Sequence, residues 1–187
     1  MTATTAGRRI ALIRGINVGH AKRIAMADLR AVIGDLGYRD VRTLLNSGNV
    51  VFDVPRPAPA DPAAAIEKAI AAWLGVSARV TVLTAGELAA AVAENPLHAV
   101  ADNPSRLLVT VLTNPADRQR LKPLVAQQWA PEALALGTRV AYLWCAAGIM
   151  ASRLAEAVGR VLGDGATSRN WATMTKLHAV AARGPGA

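Results

Sequence analysis

Two periodicities of apolar residues predict the first elements of the chain. Ile10–Ile16 is an almost continuous apolar run with one arginine, which is typical of a strand buried on both faces. Within Met26–Leu36 the apolar residues recur at helical spacing, and Gly37 suits the residue that ends such a helix. The chain therefore opens with a buried strand followed by an amphipathic helix.

A β-hairpin is predicted next. Val41–Asn46 and Asn49–Val54 are rich in strand-forming residues, and Ser47-Gly48 between them suits a tight turn. This pairing places two strands after the first helix.

The following segment completes a recognisable order of elements. After a proline-rich tether, Asp61-Pro62 offers a capping acceptor and a proline at the first helical position, so a helix to about Leu74 is expected. Arg79–Thr84 then predicts a fourth strand, and Thr84-Ala85-Gly86-Glu87 has the pattern of a capping box that opens a short helix. The order β-α-β-β-α-β is the split βαβ, or ferredoxin-like, arrangement.

The same order recurs in the second half of the chain after a connector. It contains a strand at Leu107–Thr113, a helix from Asn114-Pro115 to about Gln127, strands at Ala133–Leu136 and Arg139–Cys145, a helix from about Ile149 to Leu162, a short strand at Ala166–Arg169 and a last helix. The repetition is one of pattern, since the residues themselves are only faintly similar.

The predicted fold class is therefore α+β, with two ferredoxin-like (α/β-plait) halves, pseudo-duplicated, and a C-terminal helix. The predicted division is residues 1–84 for the first half, 85–105 for a helix and connector, and 106–187 for the second half with the C-terminal helix. A chain of 187 residues is long enough for one domain or two small ones.

Charge adds a possible ligand class to this picture. The net charge is +8, and segments 1–42, 43–105 and 106–187 carry +5, −3 and +6. If the two basic ends meet in space, they form a positive face suited to phosphate or another anion. Arginine and alanine richness also follows from a biased genomic composition, so the high isoelectric point alone does not indicate a nucleic-acid partner.

Compartment follows from the cysteine count and from the absence of long apolar runs. Cys145 is the only cysteine and lies in an apolar run, so we expect a buried, inert thiol and no intramolecular disulfide. The N-terminus lacks the apolar core of a signal peptide, and no run approaches the length of a membrane helix. These features predict a cytoplasmic protein with no membrane partner, as a monomer or a homodimer.

Two polar stretches are candidates for chemistry. Arg14-Gly15-Ile16-Asn17-Val18-Gly19 combines a cation and an amide with glycines that allow backbone N–H groups to converge on a ligand. Thr167–Leu177 places Arg169 and Lys176 beside a helix start that Asn170 or Ser168 can cap, and helix starts attract anions. The alternatives are an ordinary strand-to-helix loop in the first stretch and a helix held by Trp171 in the second.

Several motifs together resemble a known bacterial family, called domain of unknown function 1697. They are Ala11-Leu12-Ile13-Arg14-Gly15-Ile16-Asn17-Val18-Gly19, Met26-Ala27-Asp28-Leu29-Arg30, Asn46-Ser47-Gly48-Asn49-Val50-Val51-Phe52, and Thr167-Ser168-Arg169-Asn170-Trp171 with Lys176-Leu177. The resemblance implies two ferredoxin-like halves in one chain and a family without an established activity.

The polar positions of these motifs form one candidate ligand-binding site. The predicted ligand-binding residues are Arg14, Gly15, Asn17, Gly19, Asn46, Ser47, Asn49, Arg169, Asn170 and Lys176. In this hypothesis the arginines supply bidentate forks for a phosphate or carboxylate and the asparagines supply directional contacts. In the opposing interpretation Asn46 and Asn49 satisfy a turn, and Arg14 pairs with a buried acid.

Catalysis has no recognisable motif here. The chain lacks Cys-x-x-Cys, His-Glu-x-x-His, a P-loop and a Gly-x-Ser-x-Gly elbow, and its three histidines lack metal-ligand spacing. The catalytic residues are therefore unknown, and neither a metal nor a cofactor is predicted. His20 is the one histidine worth testing as an acid or base.

Three classes of function remain open. The favoured one is a binding module for an anionic ligand, either nucleic acid or a nucleotide. The second is an enzyme acting on a small phosphorylated or carboxylated metabolite, and the third is a protein-interaction or regulatory module. Few strand aromatics argue against the base-stacking mode of RNA-binding plait domains.

Overall fold

Each half of the chain forms the same succession of strands and helices. The computed structural model describes residues 5–17 and 23–183. The first half contains β1 (Thr5–Arg14), α1 (Met26–Asp35), β2 (Arg39–Leu44), β3 (Asn49–Pro55), α2 (Pro62–Leu74), β4 (Arg79–Thr84) and α3 (Ala85–Ala93). The second half contains β5 (Leu107–Leu112), α4 (Lys122–Val125), β6 (Ala133–Leu136), β7 (Val140–Trp144), α5 (Arg153–Leu162), β8 (Ala166–Asn170) and α6 (Trp171–Ala182).

Two four-stranded antiparallel sheets have equivalent strand orders. Sheet 1 has the order β2-β3-β1-β4, and sheet 2 has the order β6-β7-β5-β8. In both, the first and third strands of the half lie in the centre and the second and fourth at the edges, which is the ferredoxin-like order. The predicted α+β class, with two similar halves and a C-terminal helix, is confirmed.

The central strand of sheet 1 is buried on both faces, as its sequence predicts. Ile10, Ala11, Leu12 and Ile13 are all at most 2% exposed. Ala11 and Ile13 belong to a cluster on the helix side of the sheet with Phe52 and residues of α1 and α2. Burial of apolar surface contributes about 25 cal/mol per Å², so this cluster stabilises the packing of α1 and α2 on the sheet.

Two α-helices of the second half are shorter than predicted, one because of a proline and the other because of a serine N-cap. The segment after Asn114 is a 3-10 helix over Pro115–Leu121, and α4 begins only at Lys122, because Pro123 has no N–H to give to a carbonyl one turn back. The helix expected from Ile149 is divided at Ser152, which is extended and accepts a hydrogen bond from the Ala155 N–H at 2.9 Å. Both changes shorten the α-helical part without changing the order of elements.

The chain divides into two compact units. Unit 1 comprises the chain up to Gly86 together with the segment from Leu177, and unit 2 comprises Glu87–Lys176. Most of α3 therefore belongs to unit 2, although it follows the first half in sequence, and the last part of α6 belongs to unit 1. The division into residues 1–84, 85–105 and 106–187 follows the repeat in the sequence and stays a prediction.

Arg8 of β1 holds several parts of unit 1 together. Its guanidinium donates to both oxygens of Asp53, at 2.8 and 2.9 Å, and to Asp40 at 2.6 Å. It also donates to the carbonyl oxygens of Ala181, at 3.4 Å, and Arg183, at the end of α6. The hydrogen bonds to Asp53 outweigh desolvation and raise the pKa of Arg8 above its ordinary value.

We predict that Arg8→Met destabilises the protein by about 2–3 kcal/mol, because it leaves the largely buried Asp53 carboxylate without its cation, whereas Asp40 keeps its ion pair with Arg42. The control is Arg160→Met, which breaks the exposed ion pair with Glu156 on α5 and is expected to cost less than about 1 kcal/mol. Urea unfolding of the three proteins measures both values. Equal losses in the two variants would contradict the role given to Arg8.

Candidate functional site

Six of the ten predicted site residues lie at one end of sheet 1. Arg14 ends β1, Gly15 and Asn17 follow it, and Asn46, Ser47 and Asn49 belong to the β2–β3 hairpin. The hairpin loop reaches the end of β1, since the Ile13 N–H donates to the Gly48 carbonyl at 2.8 Å. The loop after β1 and the hairpin loop therefore lie beside each other, and their use as a ligand site stays a prediction.

The hairpin turn is longer than predicted. Leu44 pairs with Asn49, so the loop spans residues 45–48 and is not a two-residue turn. Leu45 and Gly48 both have positive φ, at 58° and 72°. A Cβ on Gly48 would lie 2.8 Å from the Ile13 carbonyl oxygen, so only glycine fits where the loop touches β1.

Asn17 uses its amide to fix the loop after β1. Its Nδ2 donates to the carbonyls of Asn46, at 2.8 Å, and Ile24, at 3.1 Å, and its Oδ1 accepts from the Ile24 N–H at 2.7 Å. The residue has a φ of 55°, a conformation that asparagine tolerates better than most residues. Asn17 thus positions three chain segments through its own side chain.

Asn49 also has an internal role, whereas its neighbours in the loop face outward. It is fully buried, and its Nδ2 donates to the Leu44 carbonyl at 3.0 Å and to Ser47 Oγ at 2.9 Å. Asn46 and Ser47 are exposed. The turn-satisfying interpretation therefore holds for Asn49, while Asn46 and Ser47 are accessible to a ligand.

Two arginines face each other across neighbouring strands at this end of the sheet. Arg14 of β1 is directly opposite Arg79 of β4 in the antiparallel register. Arg14 is exposed, and the side chain of Arg79 is 68% exposed and lies 3.6 Å from Glu67. We call Arg14, Arg79 and loop residues 45–48 the basic end of sheet 1. Arg79 was not among the predicted site residues, because its position opposite Arg14 depends on the strand register, which the sequence does not reveal.

An open cleft of about 430 Å³ adjoins the basic end. Its lining includes Asn17, Arg23, Asn46 and Met26, the first residue of α1. Ala25 is the N-cap of α1 and makes no side-chain capping bond, so the first amides of this helix lack such a partner. Asp28 in the first turn offsets part of the positive helix end.

The remaining described candidates belong to unit 2. Arg169 of β8 is partly buried, and desolvation lowers its pKa to about 10. It donates to Thr167 Oγ1 at 3.2 Å and to the Ser168 carbonyl at 2.8 Å. Asn170 caps α6 by accepting from the Thr173 N–H at 2.9 Å, and Lys176 is exposed. One site shared by Arg14 and Arg169 stays a prediction.

Gly19 and His20 lie outside the described residues, so their predicted roles stay predictions. Within residues 5–17 and 23–183, no group of three or more His, Cys, Asp or Glu side chains is arranged to hold a metal ion. Cys145 is buried as expected, and burial raises the pKa of its thiol. The same described ranges contain no helix that combines the length and apolarity needed to cross a membrane.

The fold and these motifs define a protein of two ferredoxin-like halves with a basic end on the first sheet. The chain belongs to the family described as Protein of unknown function (DUF1697), which matches residues 7–142. This match includes the three N-terminal motifs, whereas Thr167–Leu177 lies beyond it. No curated protein matches the chain.

A solved structure, that of the conserved bacterial protein SP0830 from Streptococcus pneumoniae, is similar over almost the whole chain. The TM-score is 0.69 at 21% sequence identity, and the match covers 93% of this chain and 98% of that chain. At this identity the likeness shows a common fold.

We predict that Gly48→Ala destabilises the protein by about 2–4 kcal/mol, because a Cβ meets Ile13 and the backbone keeps a positive φ. Gly34→Ala is the matched control. Gly34 lies in α1 with open space around it, so alanine there is expected to stabilise by about 0.5–1 kcal/mol. Thermal or urea unfolding measures both changes, and a stabilising Gly48→Ala would contradict the described contact.

Proposed function

We propose that the protein is a binding module for an anionic, phosphate-bearing ligand, nucleic acid or a nucleotide, and that the basic end of sheet 1 is its contact surface. The observation that carries the proposal is the direct opposition of Arg14 and Arg79. Like charges opposite each other on neighbouring strands destabilise a sheet by a few tenths of a kcal/mol to about 1 kcal/mol. A bound phosphate turns this repulsion into two favourable contacts.

Arginine chemistry suits this ligand. A planar guanidinium donates two parallel hydrogen bonds to a phosphate, and Arg14 and Arg79 are both exposed enough to do so. The Glu67 carboxylate lies 3.6 Å from the Arg79 guanidinium and compensates part of its charge. The exposed side chains of Asn46 and Ser47 add neutral hydrogen-bonding groups beside it.

The start of α1 offers a second point of attraction. Its first amides lack a side-chain cap, and Arg23 lies beside them in the cleft. Helix amides and a nearby cation together favour an anion at such a position. A ligand with more than one phosphate is therefore a better match to unit 1 than a single small anion.

The proposed contact surface offers groups that bind phosphates and no aromatic side chain of β3 for stacking on bases. Phe52, the aromatic residue of β3, is fully buried and packs on Tyr38 with ring centroids 4.8 Å apart. It is therefore not available to stack on a base, which is how plait domains read RNA. We expect contacts with phosphates to dominate, and hence little preference for base sequence.

The test is binding of fluorescent single- and double-stranded DNA and RNA at several salt concentrations, beside thermal shift with ATP and pyrophosphate. Arg14→Ala and Arg79→Ala are each expected to weaken binding about 5–30-fold, because a charge-assisted contact contributes about 1–2 kcal/mol. A steep salt dependence identifies the polymer, whereas stabilisation by ATP without polymer binding identifies a nucleotide.

The matched control is Arg118→Ala, which removes the same side chain and charge from an exposed position in unit 2. Its binding is expected to equal that of the unaltered protein. Arg169→Ala tests the predicted contribution of unit 2 to the same ligand. Unchanged binding in both Arg14→Ala and Arg79→Ala, or an equal loss in Arg118→Ala, would overturn the proposal.

A further inference from the structure

A small apolar cavity lies within unit 2, between α3 and the start of β7. Its volume is about 160 Å³, and its walls include Ala90 and Ala91 of α3 with Val140 and Tyr142 of β7. Ala90 and Ala91 follow Glu87 by three and four residues, so all three lie on one helix face. Alanines at these positions leave room that a larger side chain would fill.

Tyr142 forms one wall of the cavity and is held in place by a hydrogen bond. Tyr142 is fully buried, and its hydroxyl donates to the Ala91 carbonyl at 2.7 Å. Burial, with a smaller contribution from Glu94, raises the pKa of Tyr142 to about 12, so the phenol stays protonated at neutral pH. The ring is thereby fixed as an apolar wall.

Arg139, the cation of the cavity, is already committed to other groups. Its Nη1 pairs with the Glu87 carboxylate, its Nε donates to the Leu112 carbonyl at 2.9 Å, and its Nη2 approaches the Thr113 carbonyl at 3.5 Å. An anionic ligand would have to displace these contacts. The lining as a whole carries two carboxylates, Glu87 and Glu94, against this one guanidinium.

Glu94 is the exposed charge at the cavity. It comes directly after α3, and its N–H donates to the Ala90 carbonyl at 2.9 Å, which continues the helical turn. A carboxylate at a helix C-terminus lies at the negative end of the helix dipole, which is unfavourable for it. A cation bound there interacts favourably with the carboxylate and with the helix end at once.

We propose that this cavity binds a small primary amine with an aromatic or branched alkyl group, whose apolar part fills the cavity and whose ammonium pairs with Glu94. The size agrees with an aromatic ring, because a dry apolar cavity of about 150 Å³ accommodates benzene in another protein. The ammonium compensates the excess negative charge of a lining that carries two carboxylates and one guanidinium. This site is separate from the basic end of sheet 1 in both its residues and its ligand charge.

The experiment is titration of the full chain with benzylamine at pH 7, followed by calorimetry and by amide chemical shifts of unit 2. Benzyl alcohol, which keeps the ring without the charge, and methylamine, which keeps the charge without the ring, are titrated in parallel. Benzylamine is expected to bind saturably, about 2–5-fold tighter than benzyl alcohol, which loses an exposed ion pair, and about 10–100-fold tighter than methylamine, which loses the buried ring.

Two variants locate the site. Glu94→Gln is expected to weaken benzylamine about 2–5-fold and leave benzyl alcohol unchanged. Ala90→Leu fills the cavity and is expected to abolish binding of both. Asp102→Asn, an exposed change of the same charge in the connector of unit 2, is the control and should bind normally. Ala90→Leu is also expected to raise the melting temperature, because cavity filling stabilises.

Absence of saturable benzylamine binding would overturn the proposal, and so would equal affinity for benzylamine and benzyl alcohol. Normal binding by folded Ala90→Leu would place the amine elsewhere on the protein. If Ala90→Leu does not fold, the benzylamine affinity of Glu94→Gln tests the proposal, because this substitution changes no packing in the cavity. Unchanged affinity in Glu94→Gln would overturn it. Arg14→Ala should leave benzylamine affinity unchanged, which separates this result from the anion proposal.

Discussion

The pairing of one partly buried arginine with two aspartates fixes the architecture of unit 1. Arg8 lies on the central strand, Asp53 on the neighbouring strand and Asp40 on the edge strand, so one guanidinium spans three strands of the sheet. Desolvating these charges is costly, and the bidentate geometry together with the carbonyls at the end of α6 compensates for it. The packing of the last helix in unit 1 depends on this cluster.

The elements with strong local signals were predictable from sequence. Asp61 caps α2 through the Ala64 N–H at 3.0 Å, and β1 is buried on both faces, because capping chemistry and apolar runs are local properties. The hydrogen bonds from Asn17 to Ile24 and Asn46 were not predictable, and neither was the opposition of Arg14 and Arg79. They depend on which residues the strand register and the loops bring together, and sequence spacing does not contain that information.

The polar residues of the family motifs divide into two groups with different tasks. Asn17 and Asn49 shape the loops by donating hydrogen bonds to backbone carbonyls, and Gly48 does so by leaving room for Ile13. Arg14 and Asn46 have exposed side chains on the surface that those loops create. Polar motif residues can therefore be needed for loop geometry as much as for binding, and a motif alone does not separate the two uses.

The contact between Arg8 and the end of α6 imposes an order on folding during synthesis. Ala181, one of the carbonyl partners of Arg8, is synthesised 173 residues after it. Unit 1 is completed by a segment that is translated after all of unit 2. Until α6 has been synthesised, Arg8 lacks the carbonyl groups at the end of that helix as hydrogen-bond partners. Contacts between residues so far apart in sequence slow folding. Docking of the end of α6 on unit 1 can therefore occur only after unit 2 has been synthesised.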